Sequence, residues 1–360
     1  MCIGNIQRLT KLYNYVKIGG EKIFKVPEYY ILELFGKNKR KGGVSMFKIY
    51  MTDKNIIHEE TRAEPGCWVH MVRPTSQECA QICEMLGVSI DTPDLLAALD
   101  EEESARVEME EDYTLILVDI PTLELRHEKE VYTTIPLGII LTQQHIITVC
   151  GKETPILQFF QSGRSKEFST KKKMRFVYQI LFRIAALYQN NLRIIDKKRI
   201  AIEGKVEGDT EDFDLIELHE LESTLVYFAT SLRANGVVLD RLTRYKRLEQ
   251  YPDDQELLDD VIIENKQAIE MTSIYRDIIN GTRELLSSII DKRLNNAMKY
   301  LATITIIMAI PTIISGFYGM NVKNTSIPFA GHPFGFAIVA AMTVVIVLVV
   351  LIVLRKKKML

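Results

Sequence analysis

Gly319, Met320 and Asn321 stand between two long stretches without a charged residue. Glycine permits a tight turn at a helix end. The neutral amide oxygen of Asn321 accepts hydrogen bonds from the water shell of a cation without the strong hold of a carboxylate. Mg²⁺ sheds water reluctantly and is usually bound with several waters retained. Met320 offers only a soft thioether and reads as a packing residue. Upstream, Met298, Leu301, Thr305, Ala309, Thr312 and Gly316 recur at steps of three and four, on one face of a helix. Such a stripe often serves helix packing in membranes. Closed by the Gly-Met-Asn turn, it also suits the wall of an ion path. No carboxylate lies between Arg293 and Leu354, so an ion on that path would keep its water.

These residues need elements to hold them. Residues 300–318 and 334–354 are uncharged and apolar, and the loop 319–333 joins them. About 20 apolar residues cross a hydrocarbon core of about 30 Å, so both segments are expected to span a membrane. Lys292, Arg293 and Lys299 precede the first span, and Arg355, Lys356, Lys357 and Lys358 follow the second; the loop holds only Lys323 and His332. That asymmetry puts both termini, with the tail 355–360, on the cytoplasmic side of a cell membrane. From Pro252, followed by Asp253, Asp254 and Glu256, no proline occurs until Pro311. Apolar pairs such as Leu257/Leu258, Val261/Ile262 and Leu285/Leu286 recur with a period between 3.5 and 4. The pattern predicts one unbroken helix of about 85 Å, at about 1.5 Å per residue, running from cytosol into membrane.

The remaining chain divides by period. Residues 46–172 read as a cytosolic α/β domain, with strands at Phe47–Met51, Trp68–Val72 and Tyr113–Val118 and a hairpin over Ile135–Leu141 and His145–Val149. A helix is expected over Ser76–Leu86, between an N-cap at Thr75 and a stop at Gly87. Residues 173–298 read as long helices: one marked by Phe176, Ile180, Ile184, Leu187 and Leu192 and ending near Gly204, a second over 210–250, and the stalk from 252. Eight carboxylates between Glu207 and Glu222 are either a solvated helix start or an attractor for cations. Residues 1–45 carry nine Lys and Arg against three Glu and no signal core. They read as a basic extension ahead of a natural start at Met46, with a genuine arm outside the fold as the alternative.

The 360 residues leave enough chain outside the spans for two packed units. Behind the net charge of −2 lies an acidic body, which argues against nucleic acid and fits cations. Cys2, Cys67, Cys79, Cys83 and Cys150 have no zinc spacing and read as reduced thiols of a cytosolic protein. No phosphate-binding Gly-Lys-Ser/Thr loop occurs, so no nucleotide is expected, and no nucleophile–base pair marks an enzyme.

Gly-Met-Asn at the end of the penultimate membrane segment resembles the CorA family of divalent-cation channels. The likeness runs from about Met46 to the end and is closest from Leu258 to Asn321. It implies an α+β membrane protein, a funnel-shaped homopentamer in a lipid bilayer, conducting Mg²⁺ and often Co²⁺ or Ni²⁺. Gly319, Met320 and Asn321 would then form the selective mouth. Asn295, Met298, Leu301, Thr305, Ala309 and Thr312 would line the pore, with Met298 and Leu301 as a hydrophobic gate. Lys299 and Arg355 to Lys358 would form a basic belt at the pore entrance. Asp260 matches the acidic position at which a regulatory Mg²⁺ bridges subunits. The nearest partner carboxylates are Asp94 and Asp100, with Glu101, Glu102 and Glu103, although the family's usual partner position falls on Leu96 or Ala97. This chain also departs from relatives in the small Ala309, in Pro311 one place later, and in a loop from Val322 to Gly335 without acids. The expected function is Mg²⁺ influx driven by membrane potential. The alternatives are a Zn²⁺, Co²⁺ or Ni²⁺ transporter of the same fold, or a membrane-tethered sensor that conducts nothing.

Overall fold

The computed structural model describes residues 15–18, 21–25, 47–54, 56–126, 129–165, 168–204, 212–244, 252–320, 328–329 and 332–357. The chain divides into two units, Met1–Met46 and Phe47–Leu360. In the first, β1 (Tyr15–Ile18) pairs antiparallel with β2 (Glu21–Lys25). Two short runs of aromatic and branched residues flank Gly19-Gly20, a two-residue hairpin signal that the basic composition conceals. The Lys-rich run 37–41 lies outside the described residues.

In the second unit, the described strands build one seven-stranded sheet. Its order is β4 (Ile56–Glu60), β3 (Phe47–Asp53), β5 (Trp68–Val72), β9 (Ile146–Cys150), β8 (Lys129–Thr142), β7 (Tyr113–Arg126) and β6 (Arg106–Met109). The central pair β5–β9 is parallel and its neighbours are antiparallel. A parallel pair needs a long crossover. Here it contains α1 (Ser76–Leu86), α2 (Thr92–Leu96), a 3-10 turn at Ala97–Leu99 and the strands β6 to β8. Thr75 and Glu78 form a reciprocal capping box at the start of α1, and Gly87 closes it with φ 64°. Both ends therefore lie where the capping residues put them.

Both faces of the sheet are buried. Along β7, Leu115 and Leu117 join the core under α1 and α2, while Ile116, Val118 and Ile120 join the core on the opposite face. That second face carries α3 (Pro155–Gln161), α4 (Lys173–Gly204) and α5 (Asp212–Arg244). Trp68 anchors it: the indole lies 5.1 Å from the Phe176 ring, and its Nε1–H donates to Thr148 Oγ1 at 2.8 Å. The short elements β4, β6, α2 and α3 went unread because a few residues cannot show a period.

The chain ends in α6 (Pro252–Tyr318, 67 residues) and α7 (Gly335–Lys356). At 1.5 Å per residue α6 is about 100 Å long. Pro311 lies inside the helix, within the first expected span; it lacks the N–H that would reach the Ile307 carbonyl, and its ring crowds that carbonyl. The first half of α6 packs on α4 and α5. Its buried positions are Asp254, Leu258, Val261, Asn265, Ala268, Thr272, Ile279, Thr282 and Leu286, with half-buried Tyr275 completing the series. The steps alternate three and four, a 3.5-residue repeat of the coiled-coil kind.

Buried amides fix the register between layers. Asn235 of α5 accepts from the Asp119 N–H of β7 and donates to the Asp119 carbonyl, both at 2.8 Å. Asn265 of α6 donates to the Leu232 carbonyl of α5 at 3.1 Å, and Gln189 of α4 donates to Glu264 Oε2 of α6 at 2.6 Å. Asn235→Ala strands the Asp119 N–H in the interior, at a cost of about 1–3 kcal/mol. The expected result is a thermal midpoint lowered by a few degrees in the detergent-solubilised chain. An unchanged midpoint would mean that Asn235 does not pin sheet to helices.

Candidate functional site

The chemistry-bearing residues of the apolar segments lie on the last third of α6 and just beyond it. The most apolar 18-residue windows of α6 and α7 are only 6 % and 11 % buried, so neither is the core helix of a soluble domain. Within α6, Lys299, Thr303, Ile307, Ile310, Ile314 and Tyr318 are the covered or half-covered positions, at steps of four, four, three, four and four. They form the stripe that meets α7. Met298, Leu301, Thr305 and Thr312 lie about half a turn away at 100° per residue, and all four are exposed. Ala309 belongs to the same side but is half-buried, and Asn295 is exposed at its lower border. The small and polar stripe is thus on the side of α6 that α7 leaves open.

The stripe's hydroxyls are already oriented. Thr305 Oγ1 donates to the Leu301 carbonyl at 2.8 Å, and Thr312 Oγ1 donates to the Met308 carbonyl at 2.9 Å. With their protons so used, both oxygens present lone pairs outward, as acceptors for water. At the helix end, the Gly319 N–H donates to the Ser315 carbonyl at 2.9 Å. A Cβ on Gly319 would stand 3.3 Å from that same oxygen, a tight approach. Tyr318 Oη donates to the Pro328 carbonyl at 3.0 Å and ties the helix end to the far side of the loop. Gly335 starts α7 against the Phe329 carbonyl, where a Cβ would approach to 2.2 Å. Met320 is exposed, whereas Asn321 and Lys323 lie outside the described residues. Lys299 is half-buried, Arg355, Lys356 and Lys357 are exposed, and Lys358 lies outside the described residues.

The acidic candidates are not gathered within one chain. Asp260 is exposed on α6. Asp94, at the start of α2, accepts a hydrogen bond from the Tyr113 hydroxyl of β7. Burial first, and then this bond to Asp94, push the Tyr113 phenol well above its ordinary value, so it remains a donor. Asp100 is exposed and accepts from the Glu102 N–H at 3.0 Å. Among the described residues, no group of three or more His, Cys, Asp or Glu is placed to hold a metal. The described cysteines are free, and burial pushes Cys67, Cys79 and Cys150 up to about 11, so they stay protonated and make poor ligands. Of the acid-rich stretch, Glu222 accepts from Arg283 of α6 at 2.8 Å. That carboxylate links α5 to α6.

An α/β domain, a set of long helices and two candidate membrane helices with an uncharged polar stripe define a two-span membrane protein of the transporter type. Comparison with known proteins names the family. A family model described as CorA-like Mg²⁺ transporter protein matches residues 64–356, and the chain belongs to this family. The cobalt/magnesium transport protein CorA of Methanocaldococcus jannaschii is 30 % identical over 286 residues, 77 % of this chain and 86 % of the relative. The cobalt/magnesium transport protein CorA of Thermotoga maritima is 25 % identical over 270 residues, 73 % of this chain and 74 % of the relative. The complete structure of the CorA magnesium transporter from Methanocaldococcus jannaschii superimposes with a TM-score of 0.74 at 25 % identity, covering 89 % of this chain and 100 % of that one.

The two faces of α6 can be told apart chemically. Thr305→Cys, on the open side, should form a disulfide-linked dimer on mild oxidation. Thr303→Cys, on the side covered by α7, should not. Equal cross-linking of the two variants on a non-reducing gel would overturn the assignment of the faces.

Proposed function

We propose that this chain forms a homopentameric channel that admits Mg²⁺, and Co²⁺ as a second substrate, into the cytoplasm. The observation that carries the reading is the uncharged polar stripe on the side of α6 left open by α7, leading to Gly-Met-Asn. Two helices cannot enclose a path, so several copies must bring their stripes together around an axis. Two relatives are named cobalt/magnesium transport proteins, which supports the choice of ions.

The mechanism follows from the side chains. A ring of Asn321 amide oxygens at the mouth accepts hydrogen bonds from a hydrated divalent ion and holds it weakly enough to release it. Gly319 allows the turn that presents Asn321, and Met320 packs beside it. The ion passes Thr312, Ala309 and Thr305, whose oxygens and small volume accommodate its waters. Leu301 and Met298 form a constriction that closes by dewetting, and Asn295 lies at its cytoplasmic end. Both termini are cytoplasmic, so Lys299 and Arg355 to Lys358 surround the exit. Membrane potential supplies about 2.3 kcal/mol per charge per 100 mV, twice that for a divalent ion. Nucleotide is not required.

Regulation is read from Asp260. A cytosolic Mg²⁺ between this carboxylate and a neighbour's Asp100 or Asp94 would relieve repulsion across the interface and favour the closed state. Since Asp94 is engaged by Tyr113 in its own chain, Asp100 is the freer partner. The ion shifts the equilibrium only by its difference in affinity for the two states.

Two experiments test this. In proteoliposomes, Asn321→Ala should abolish Mg²⁺ flux with the oligomer intact, and Asn321→Asp should not restore it, because a carboxylate ring binds too tightly. Undiminished flux in Asn321→Ala would refute the selective ring. In limited proteolysis, Mg²⁺ should protect the native chain, while Asp260→Lys should resist cleavage without Mg²⁺. A variant still wholly dependent on Mg²⁺ for protection would remove Asp260 from the sensor.

A further inference from the structure

The cytosolic part carries a groove of the opposite electrostatic character to the rest of the chain. It lies between α3 and α4 and has a volume of about 490 Å³, within the range of small-molecule sites. One wall is a face of α3, with Pro155, Gln158 and Phe159, and Ser162 at its C-cap. The other is a face of α4, where Ala186, Leu187 and Asn190 follow Arg183 by three, four and seven residues. Gly163, in the left-handed region with φ 66°, turns the chain after α3 and brings Arg164 to the groove.

The arginines are the unusual feature. The Arg183 guanidinium carbon lies 3.4 Å from the centre of the Phe159 ring. Phe159 is half-buried and packs edge-on against the core residue Phe160, 5.4 Å between centroids, so the stacked surface is rigid. Stacking fixes the guanidinium plane and leaves its in-plane N–H edges free to bind two oxygens at once. Among the described residues, neither Arg183 nor Arg164 has an ion-pair partner, and no carboxylate lines the groove. Two other grooves show the contrast. One is lined by Glu130, Glu217 and Glu220 with a single Lys198. The other sets Glu110, Glu111, Asp112 and Asp254 against three lysines, of which Lys173 is bound to the Thr142 and Gln143 carbonyls, each at 2.6 Å. In an acidic body, two arginines in one concavity with no ion-pair partner among the described residues form a local anion trap.

We infer that the α3–α4 groove is a binding site for a phosphate-bearing small anion. The paired arginines take the phosphoryl oxygens, the geometry in which planar forked donors exceed a lysine. Ser162 Oγ, which donates its proton to the Phe159 carbonyl at 2.9 Å, faces a ligand as an acceptor and suits a sugar or phosphate hydroxyl. Ile156, Ala186 and Leu187 provide an apolar floor for an organic part. The shared chemistry is the phosphoryl group, whether carried by inorganic phosphate or by a nucleoside monophosphate. The site is independent of the ion path and of the transport reading.

The test is titration calorimetry on the full-length chain in detergent, with inorganic phosphate, pyrophosphate and AMP as separate probes and acetate at matched ionic strength as control. Saturable binding of at least one phosphorylated probe, one per chain, is expected, with acetate inert. Arg183→Gln and Arg164→Gln should each weaken it by about tenfold or more. Arg183→Lys should also weaken it, because an ammonium cannot lie flat on Phe159. Phosphate binding as tightly as AMP would show that the phosphoryl group alone is read. Tighter AMP would show that the apolar floor takes part. Both arginines are exposed, so the variants should keep the native thermal midpoint, which is measured alongside. The site is overturned if no phosphorylated probe saturates, if acetate binds equally, or if the folded double variant Arg164→Gln/Arg183→Gln binds like the native chain.

Discussion

An apolar surface that one chain cannot cover governs this molecule. Beyond Leu286 the residues of α6 are mostly exposed, and α7 packs against the helix. Side chains such as Leu301, Met308 and Phe317 stay about two-thirds exposed. In water, each fully exposed side chain of this size forgoes about 1.5–3 kcal/mol. The surface is therefore built for a medium other than water. Lipid covers it on the outside and, in the reading proposed here, further copies cover the polar stripe. A helix is one of the few forms the chain can take there, because it satisfies its backbone groups internally.

The same helix belongs to two environments, and its sequence changes accordingly. From Leu258 to Leu286 the buried positions repeat every 3.5 residues, which keeps a seam against α4 and α5. Polar members of that seam, Asn265, Thr272 and Thr282, bond to backbone carbonyls rather than sit unsatisfied. Beyond it, the pattern becomes a covered stripe towards α7 and an open stripe opposite. A rotation or shift of the first part must be felt by the second, since no loop interrupts Pro252–Tyr318. This continuity gives the gating proposed above a mechanical route from the α/β domain to the apolar segment.

Electrostatics divide the chain in the same way. The body is acidic, the segment that would carry the ion is neutral, and basic residues cluster where α7 ends. A neutral path fits an ion that keeps its water, since a charged ring would compete with the hydration shell. Against this acidic body, the two arginines of the α3–α4 groove stand out because no described carboxylate answers them.

The sequence by itself determined the elements with a strong period or a clear cap. The two spans, the start of α6 at Pro252, the capped helix Ser76–Leu86 and the hairpin over Ile135–Leu141 and His145–Val149 all follow from local physics that needs no neighbour. The stripe of α6 was equally legible, because helical periodicity places residues on a face without tertiary information. Tertiary structure decided everything that depends on which distant segment lies alongside. It placed β9 parallel to β5 and filled both sheet faces. It assigned Asp94 to the Tyr113 hydroxyl and used Asn235 as a peg into β7. It stacked Arg183 on Phe159, residues on different helices whose meeting no spacing announces. Short elements such as α3 hold too few residues to show a period; the start of α3 is nonetheless marked by the Thr154 cap and Pro155 at the first helical position.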